Sequence, residues 1–126
     1  MQPRHTITYV SGNTQTVFMS FGLLNTLIGY LGGPENLPAV RMHPEVRETF
    51  LVELLSPRDQ HGEIPRGQEF NIKTADLTVD EVTDLLEWVE GHLSDFFIKA
   101  ARSLSNRAAE MGVTMGQSNS ATGSKP

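Results

Sequence analysis

The longest regular pattern of apolar and polar residues in the chain lies between Leu77 and Arg107. Apolar side chains recur there at alternating steps of three and four residues, which keeps them on one face of a helix. They are Leu77, Val82, Leu85, Leu86, Val89, Leu93, Phe96, Phe97, Ala100 and Leu104. Thr78 followed by Glu81 three residues later is the pattern of a capping box. The pattern predicts a long amphipathic helix with Thr78 as its N-cap.

The beginning of the chain has a pattern of period two instead. Side chains that favour strands alternate in residues 6–10 and again in residues 15–19, with a Ser-Gly-Asn-Thr turn between them. Gly and Asn tolerate the positive φ that tight turns require. The pattern predicts a β-hairpin over residues 6–19. An isolated hairpin is marginal in water, so it must pack on a helix or join a partner's sheet.

Two shorter helices are predicted between the hairpin and the long helix. Ser20 is a suitable cap for the first, which ends before Gly32-Gly33. Its predicted apolar face consists of Phe21, Leu24, Leu27, Ile28 and Leu31. Pro44 is typical of the first position of the second helix, which ends at Leu55 because the residue before a proline avoids the helical region. Residues 58–69 then form a polar loop, and loops this long are often functional.

Length and composition limit the number of domains and the size of the core. The chain has 126 residues, of which 38% are hydrophobic and 20% charged, enough for one domain with a modest core. From Gly112 onward, small polar residues bury too little apolar surface to offset the entropy of ordering. We expect a mainly α fold: one small helical domain over residues 1–111, with an N-terminal hairpin and a long C-terminal amphipathic helix. A disordered Gly/Ser-rich tail over residues 112–126 should follow.

Charge and residue usage narrow the function classes. The formal net charge of −5 argues against a nucleic-acid binder, which needs a basic face. No apolar stretch has the length that a membrane span requires, and the N-terminus lacks the apolar core of a signal peptide. The absence of cysteine excludes thiolate metal sites and cysteine nucleophiles. We therefore expect a soluble protein that binds neither nucleic acid nor membrane.

The remaining reactive side chains form no recognised motif. The four histidines, His5, His43, His61 and His92, have no ligand-like spacing. The carboxylates of the long helix lie on its polar side, where charges normally serve solvation. They are Asp80, Glu81, Asp84, Glu87, Glu90 and Asp95. Phosphate-binding and serine-nucleophile motifs are missing as well. The sequence predicts no catalytic residue, no metal site and no cofactor.

Trp88 lies just outside the apolar stripe of the long helix, beside Gly91 and His92. One interpretation is that a second layer of the small domain covers it. The other is that it anchors a partner, since a part-exposed tryptophan next to a glycine is a common hot-spot arrangement. Phe96 and Phe97 widen the stripe farther along the helix. We predict a partner-binding surface formed by Trp88, Gly91, His92, Phe96 and Phe97.

Several segments together carry a family resemblance. They are a strand–turn–strand ending in Phe-Met-Ser-Phe-Gly (18–22), a helix, Pro-Glu-Val (44–46) opening another helix, a Ser-Pro-Arg-Asp-x-His-Gly loop (56–62), and Leu-Thr-x-Asp-Glu-Val with Leu-Leu-Glu-Trp-Val and Asp-Phe-Phe (77–97). In this order they resemble the tail assembly chaperones of tailed bacteriophages. The resemblance covers most of the chain up to about Arg107.

The resemblance implies a role without catalysis. Proteins of this family coat the tape measure protein and recruit tail tube subunits during tail polymerisation, in the cytoplasm of the bacterial host. The family has no catalytic residues to carry over to this sequence. The partners that the resemblance implies are the tape measure protein and the tail tube protein. A homo-oligomer is a further expectation, which follows from the length of the apolar face on the long helix.

Two other functions remain open from the sequence. One is a small structural subunit of the phage tail tube, baseplate or collar that stays in the virion. In that case the hairpin would add a strand to a neighbour's sheet. The other is a small enzyme or regulator that closes the loop of residues 58–69 over a pocket.

Overall fold

Two short strands and four α-helices make up the described part of the chain. The computed structural model describes residues 2–115, and the side chains of residues 2–111. The elements are β1 (Arg4–Thr8), β2 (Thr14–Phe18), α1 (Phe21–Leu31), a 3₁₀ turn (Pro34–Asn36), α2 (Ala39–Met42), α3 (Pro44–Leu55) and α4 (Val79–Met115). The predicted mainly α fold, with its hairpin and its long last helix, is confirmed. The predicted disordered tail, residues 112–126, lies outside the residues whose side chains are described.

The chain divides into two compact units, Met1–Ser94 and Asp95–Pro126. The first unit contains every buried apolar side chain among the described residues. The largest that are fully buried are Ile7, Leu27, Val40, Phe50, Leu85, Leu86, Val89 and Leu93. The second unit contains the exposed apolar side chains of Ile98 and Leu104. The predicted single domain over residues 1–111 stays a prediction.

The hairpin pairs β1 with β2 in antiparallel register, with Arg4 opposite Phe18 and Thr8 opposite Thr14. Its strands begin and end earlier than predicted, because Tyr9 N already donates to Asn13 O at 2.8 Å and closes the turn. At the other end the Arg4 guanidinium lies 4.8 Å from the centre of the Phe18 ring. The register extends the pairing toward the N-terminus by two residues beyond the predicted start.

α1 begins where its cap predicted, since Ser20 Oγ accepts a hydrogen bond from Leu23 N at 3.1 Å. Its buried residues are Leu23, Leu27 and Leu31, each four positions from the next. The predicted apolar face is wrong at Phe21, which is 72% exposed. Steps of four residues from Leu23 lead to Leu27 and Leu31, which face the core, and Phe21 does not lie on that series.

α3 is the central helix of the first unit and contacts α1, α2 and β2. Four of its apolar residues are buried: Phe50, Leu51, Leu54 and Leu55. Ser56 follows them and is itself buried, with its Oγ accepting a hydrogen bond from Phe70 N at 2.8 Å. This bond brings the end of the long loop back against the end of α3 and leads the chain into α4.

α4 begins with the predicted N-cap. Thr78 Oγ1 accepts from Glu81 N at 3.2 Å, and Thr78 O accepts from Val82 N at 3.1 Å. The reciprocal bond of a capping box, from the Thr78 backbone to the Glu81 side chain, is replaced by another. Glu81 Oε1 accepts instead from Thr8 N at 2.8 Å. The residue predicted to close the cap therefore joins α4 to the hairpin.

Candidate partner-binding surface

Trp88 is half-buried, and it contacts two residues at the beginning of the chain and one residue a turn further along α4. Its Nε1–H donates to the backbone carbonyl of Gln2 at 2.8 Å, and His92 Nε2 lies 2.7 Å from the same oxygen. A carbonyl oxygen only accepts, so Nε2 of His92 is the protonated nitrogen. The His5 ring stacks on the indole, with centroids 5.5 Å apart. His92 meets the indole edge to face at 4.9 Å.

These four residues, Gln2, His5, Trp88 and His92, form what we call the tryptophan cluster. The cluster provides the covering layer that the first interpretation of Trp88 requires. Because the indole N–H is already bonded within the chain, a partner could contact only the part of the ring that remains exposed. The role of Trp88, Gly91 and His92 as partner anchors stays a prediction.

The register of the hairpin explains how β1 reaches α4. Tyr9 N donates to Asn13 O, and Pro3 O accepts from Met19 N at 2.9 Å, so the odd-numbered residues of this strand bond to β2. Backbone groups alternate in direction along an antiparallel strand. The even-numbered residues therefore direct their N–H and C=O groups away from β2, along the outer edge of β1.

That outer edge is bonded at both of its ends to the segment that contains α4. Gln2 O accepts from Trp88 and His92, Thr8 N donates to Glu81, and Val10 N donates to Asp76 O at 2.9 Å. An open strand edge is a template for unwanted pairing, and a covering helix is one way in which proteins prevent it. α4 and the residues just before it thus cover the outer edge of β1, in addition to the contribution of α4 to the core.

Several α4 carboxylates join elements of the structure in addition to facing solvent. Arg41 of α2 donates from Nε to Glu90 Oε2 at 2.9 Å and from Nη1 to Glu87 Oε2 at 3.5 Å. In the second unit, Asp95 pairs with Lys99 one turn along the helix, at 3.0 Å. The Arg41 pairs link α2 to α4, whereas the exposed Asp95–Lys99 pair links adjacent turns of one helix, and exposed pairs of that kind contribute little to stability.

Phe96 and Phe97 lie in the second unit, where they form a pair of their own. Their rings meet edge to face, with centroids 6.1 Å apart and an angle of 69° between planes. Both are half-buried, whereas Ile98 is 53% exposed and Leu104 is 68% exposed. The structure therefore brings Trp88 and His92 together in the first unit, and it places an aromatic pair among exposed apolar side chains in the second.

The predicted loop after α3 is held by its own charged side chains. Arg58 Nη2 donates to both Glu53 O and Glu53 Oε1 at 2.8 Å. Asp59 Oδ1 accepts from His61 N and Glu63 N at 2.8 and 3.0 Å. A cleft of about 280 Å³ lies beside this loop, lined by Ser20, Gly22, Leu23, Thr26, Arg58, His61 and Gly62. Of the polar side chains in this cleft, Ser20 caps α1, Thr26 donates to Gly22 O and Arg58 holds the loop, whereas His61 is bonded to the loop through its backbone N–H.

Two tyrosines have raised pKa values. Burial raises the pKa of Tyr9, and the nearby Asp76 carboxylate raises it further. Burial also raises the pKa of Tyr30, which donates its hydroxyl proton to Glu53 Oε2 at 3.1 Å. A phenol held in its protonated form is neither a base nor a nucleophile near neutral pH. Within the described residues, no three or more His, Asp and Glu side chains group to hold a metal ion.

Sequence reasoning missed Gln2 and His5. His5 shares the inner face of β1 with Ile7, which the period of two could have indicated, but nothing in the pattern identifies the helix it meets. Gln2 contributes its backbone carbonyl, a group that every residue has, so no side-chain pattern marks it. The contacts join residues more than eighty positions apart.

Comparison of the chain with protein-family models, with curated proteins and with solved structures finds no match. In the part of the chain that the structure describes, every helix is too short or too polar to cross a membrane.

Proposed function

We propose that this protein is a non-catalytic tail assembly chaperone of a tailed bacteriophage. It binds the tape measure protein and tail tube subunits while the tail polymerises in the host cytoplasm. The observation that carries the proposal is the order of elements: a hairpin, three helices, a charged loop and a long last helix. These elements contain the segments 18–22, 56–62 and 77–97 on which the resemblance to that family rests.

The chemistry of the second unit supports a binding role. Ile98 and Leu104 present apolar side chains to water on the same helical segment as the Phe96–Phe97 pair. Exposed apolar patches on soluble proteins mark interaction sites. A partner that is itself a long helix would offer apolar anchors at steps of three and four residues, which suit a helical surface of this kind. We infer that Phe96 and Phe97 contact the tape measure protein.

Co-expression with the tape measure protein of the same phage tests the binding. The wild-type chain should co-purify with it, and the Phe96→Ala/Phe97→Ala variant should retain less than about a tenth, the loss expected when one hot spot of about 1.4 kcal/mol is removed. Asn106→Ala is the matched control, because it also changes an exposed residue of the second unit. Equal recovery of all three proteins would contradict the assigned surface.

Mass spectrometry of mature particles tests the role. A chaperone acts during assembly and should be missing from purified particles, while the tail tube protein is present in the same sample. Detection of this chain at a fixed copy number would instead identify it as a structural subunit of the tail and would overturn the proposal.

A further inference from the structure

A groove lined by residues of α2, α3 and the beginning of α4 combines apolar side chains with two arginines. Its volume is about 360 Å³, within the range of ligand sites in proteins. Leu77, Val82 and Leu86 contribute apolar side chains, and Arg41 and Arg47 contribute guanidinium groups. We call it the Arg47 groove. All of these residues belong to the first unit, so the groove contains no residue of the surface proposed in the second.

The apolar side chains of the groove range from exposed to buried. Val79, which also lines the groove, is 81% exposed, whereas Leu86 is 2% exposed. Leu77 and Val82 are half-buried. An apolar side chain that enters such a groove is removed from water together with part of the wall, which is favourable. The groove therefore suits a large apolar side chain.

The charges of the two arginines are balanced differently. Arg41 donates to Glu90 at 2.9 Å and to Glu87 at 3.5 Å. Arg47 donates from Nη1 to the carbonyl oxygen of Arg41 at 2.6 Å, and it forms no ion pair with any described residue. Its Nε and Nη2 groups therefore remain available as donors. A guanidinium group binds a carboxylate through two such N–H groups.

Apolar atoms alone would be a poor cover for this groove. They would remove Arg47 from water without supplying a counterion, and a buried charge without a partner is costly. The acidic residues in the first turn of α4, Asp80 and Glu81, do not line the groove. Glu81 moreover accepts a hydrogen bond from Thr8 N. The carboxylate that pairs with Arg47 must therefore come with the occupant.

We propose that the Arg47 groove binds a segment of another protein in which a large apolar residue stands next to a glutamate or aspartate. The apolar side chain packs on Val82 and Leu86, and the carboxylate accepts from Nε and Nη2 of Arg47. The first unit thus has a binding site of its own, in addition to the contact proposed for Phe96 and Phe97. The two sites differ in chemistry, because only the groove requires a negative charge.

Peptide titration followed by NMR tests the charge requirement. The probes acetyl-Leu-Glu-Leu-amide and acetyl-Leu-Gln-Leu-amide differ by one charge and have almost the same shape. The Glu probe should shift the amide signals of residues 77–83 and the Nε–H signal of Arg47, with a dissociation constant on the order of 1 mM. The Gln probe should bind about three- to tenfold more weakly, because it loses the charge-assisted hydrogen bonds. Acetyl-Ala-Glu-Ala-amide, which lacks large apolar side chains, should also bind at least about threefold more weakly.

The Arg47→Gln variant tests whether this arginine recognises the charge. The Glu and Gln probes should bind to it equally, because the carboxylate has lost its guanidinium partner. Arg66→Gln is the matched control, since it removes an exposed positive charge of the first unit that does not line the groove. It should keep the preference for the Glu probe. Circular dichroism compares the folding of both variants, and the comparison of probes on the wild-type chain needs no variant.

Three outcomes would overturn the proposed site. The first is equal affinity of the Glu and Gln probes for the wild-type chain. The second is that the signals of the groove residues do not shift with any probe. The third is a dimer of the chain alone, seen by sedimentation velocity, that Arg47→Gln dissociates, which would assign the groove to a second copy. These measurements use only the chain and synthetic peptides, so a failure here is distinguished from a failed tape measure interaction.

Discussion

The two parts of α4 on either side of the boundary at Ser94 have the same helical pattern and opposite environments. In the first part Leu86 is 2% exposed and Leu93 is fully buried. In the second, Leu104 is 68% exposed, although it continues the same steps of three and four residues. An amphipathic stripe therefore identifies the face that avoids water, but it does not identify what covers that face.

The polar sides of the two parts differ in the same way. In the first, Glu81 accepts a hydrogen bond from the hairpin, and Glu90 accepts one from Arg41 of α2. In the second, Asp95 pairs with Lys99 of the same helix. Carboxylates of the same helix thus bond to distant elements in the first unit, whereas Asp95 in the second unit bonds only to the adjacent turn.

The largest expected effect compares how much a buried and an exposed apolar residue of α4 contribute to the stability of the fold. Leu86→Ala should lower the free energy of unfolding by about 2–5 kcal/mol, because it removes a buried side chain and leaves a cavity. Leu104→Ala should change it by less than about 0.5 kcal/mol, because the side chain is already exposed. Urea denaturation followed by circular dichroism measures both at a protein concentration where the chain is monomeric. Similar values for the two variants would remove the distinction.

A smaller effect should follow from opening the tryptophan cluster. Trp88 is the only tryptophan, so its fluorescence reports on the cluster alone. Deleting residues 1–3 removes the carbonyl that accepts from the indole N–H, so emission should shift to the red and acrylamide quenching should increase. Gln2→Ala keeps that backbone carbonyl and should leave the spectrum unchanged. If the deletion has no effect either, the N-terminal contact does not cover Trp88 in solution.

The smallest effect tests the carboxylates at the beginning of α4. Glu81→Ala removes the acceptor for Thr8 N and should cost about 1 kcal/mol of stability. Asp84→Ala removes an exposed carboxylate from the next turn and should cost less than about 0.5 kcal/mol. Both residues lie near the positive end of the helix dipole, so that contribution is similar in the two variants. Thermal unfolding at matched ionic strength compares them, and equal losses would assign the effect to the dipole alone.

Much of the fold could be predicted because its elements depend on local chemistry. The steps of three and four residues predicted α4, the cap at Thr78 predicted its start, and the period of two predicted the hairpin. The strand ends were displaced because the turn closes on the bond between Tyr9 and Asn13, which no propensity encodes. Phe21 was assigned to the wrong face, since several apolar residues in α1 allow more than one stripe.

The candidate surface was predicted less completely than the fold. Trp88 and His92 were identified from their place beside the stripe, and the structure brings them together on one carbonyl. The residues that complete the cluster were missed, because His5 and Gln2 reach Trp88 only through the register of the hairpin and its position against α4. Phe96 and Phe97 were identified for the same reason as the rest of the stripe, which is their helical spacing.

The sequence by itself determined the elements of this protein, their order, and the apolar face of the long helix, because each depends on contacts within a few residues. Only the tertiary structure decided that β1 covers Trp88, that Glu81 and Glu90 join other elements, and that Leu86 is buried while Leu104 is exposed. Burial is a property of what lies opposite a side chain. Residues that share one local pattern therefore acquire different roles once the chain has folded.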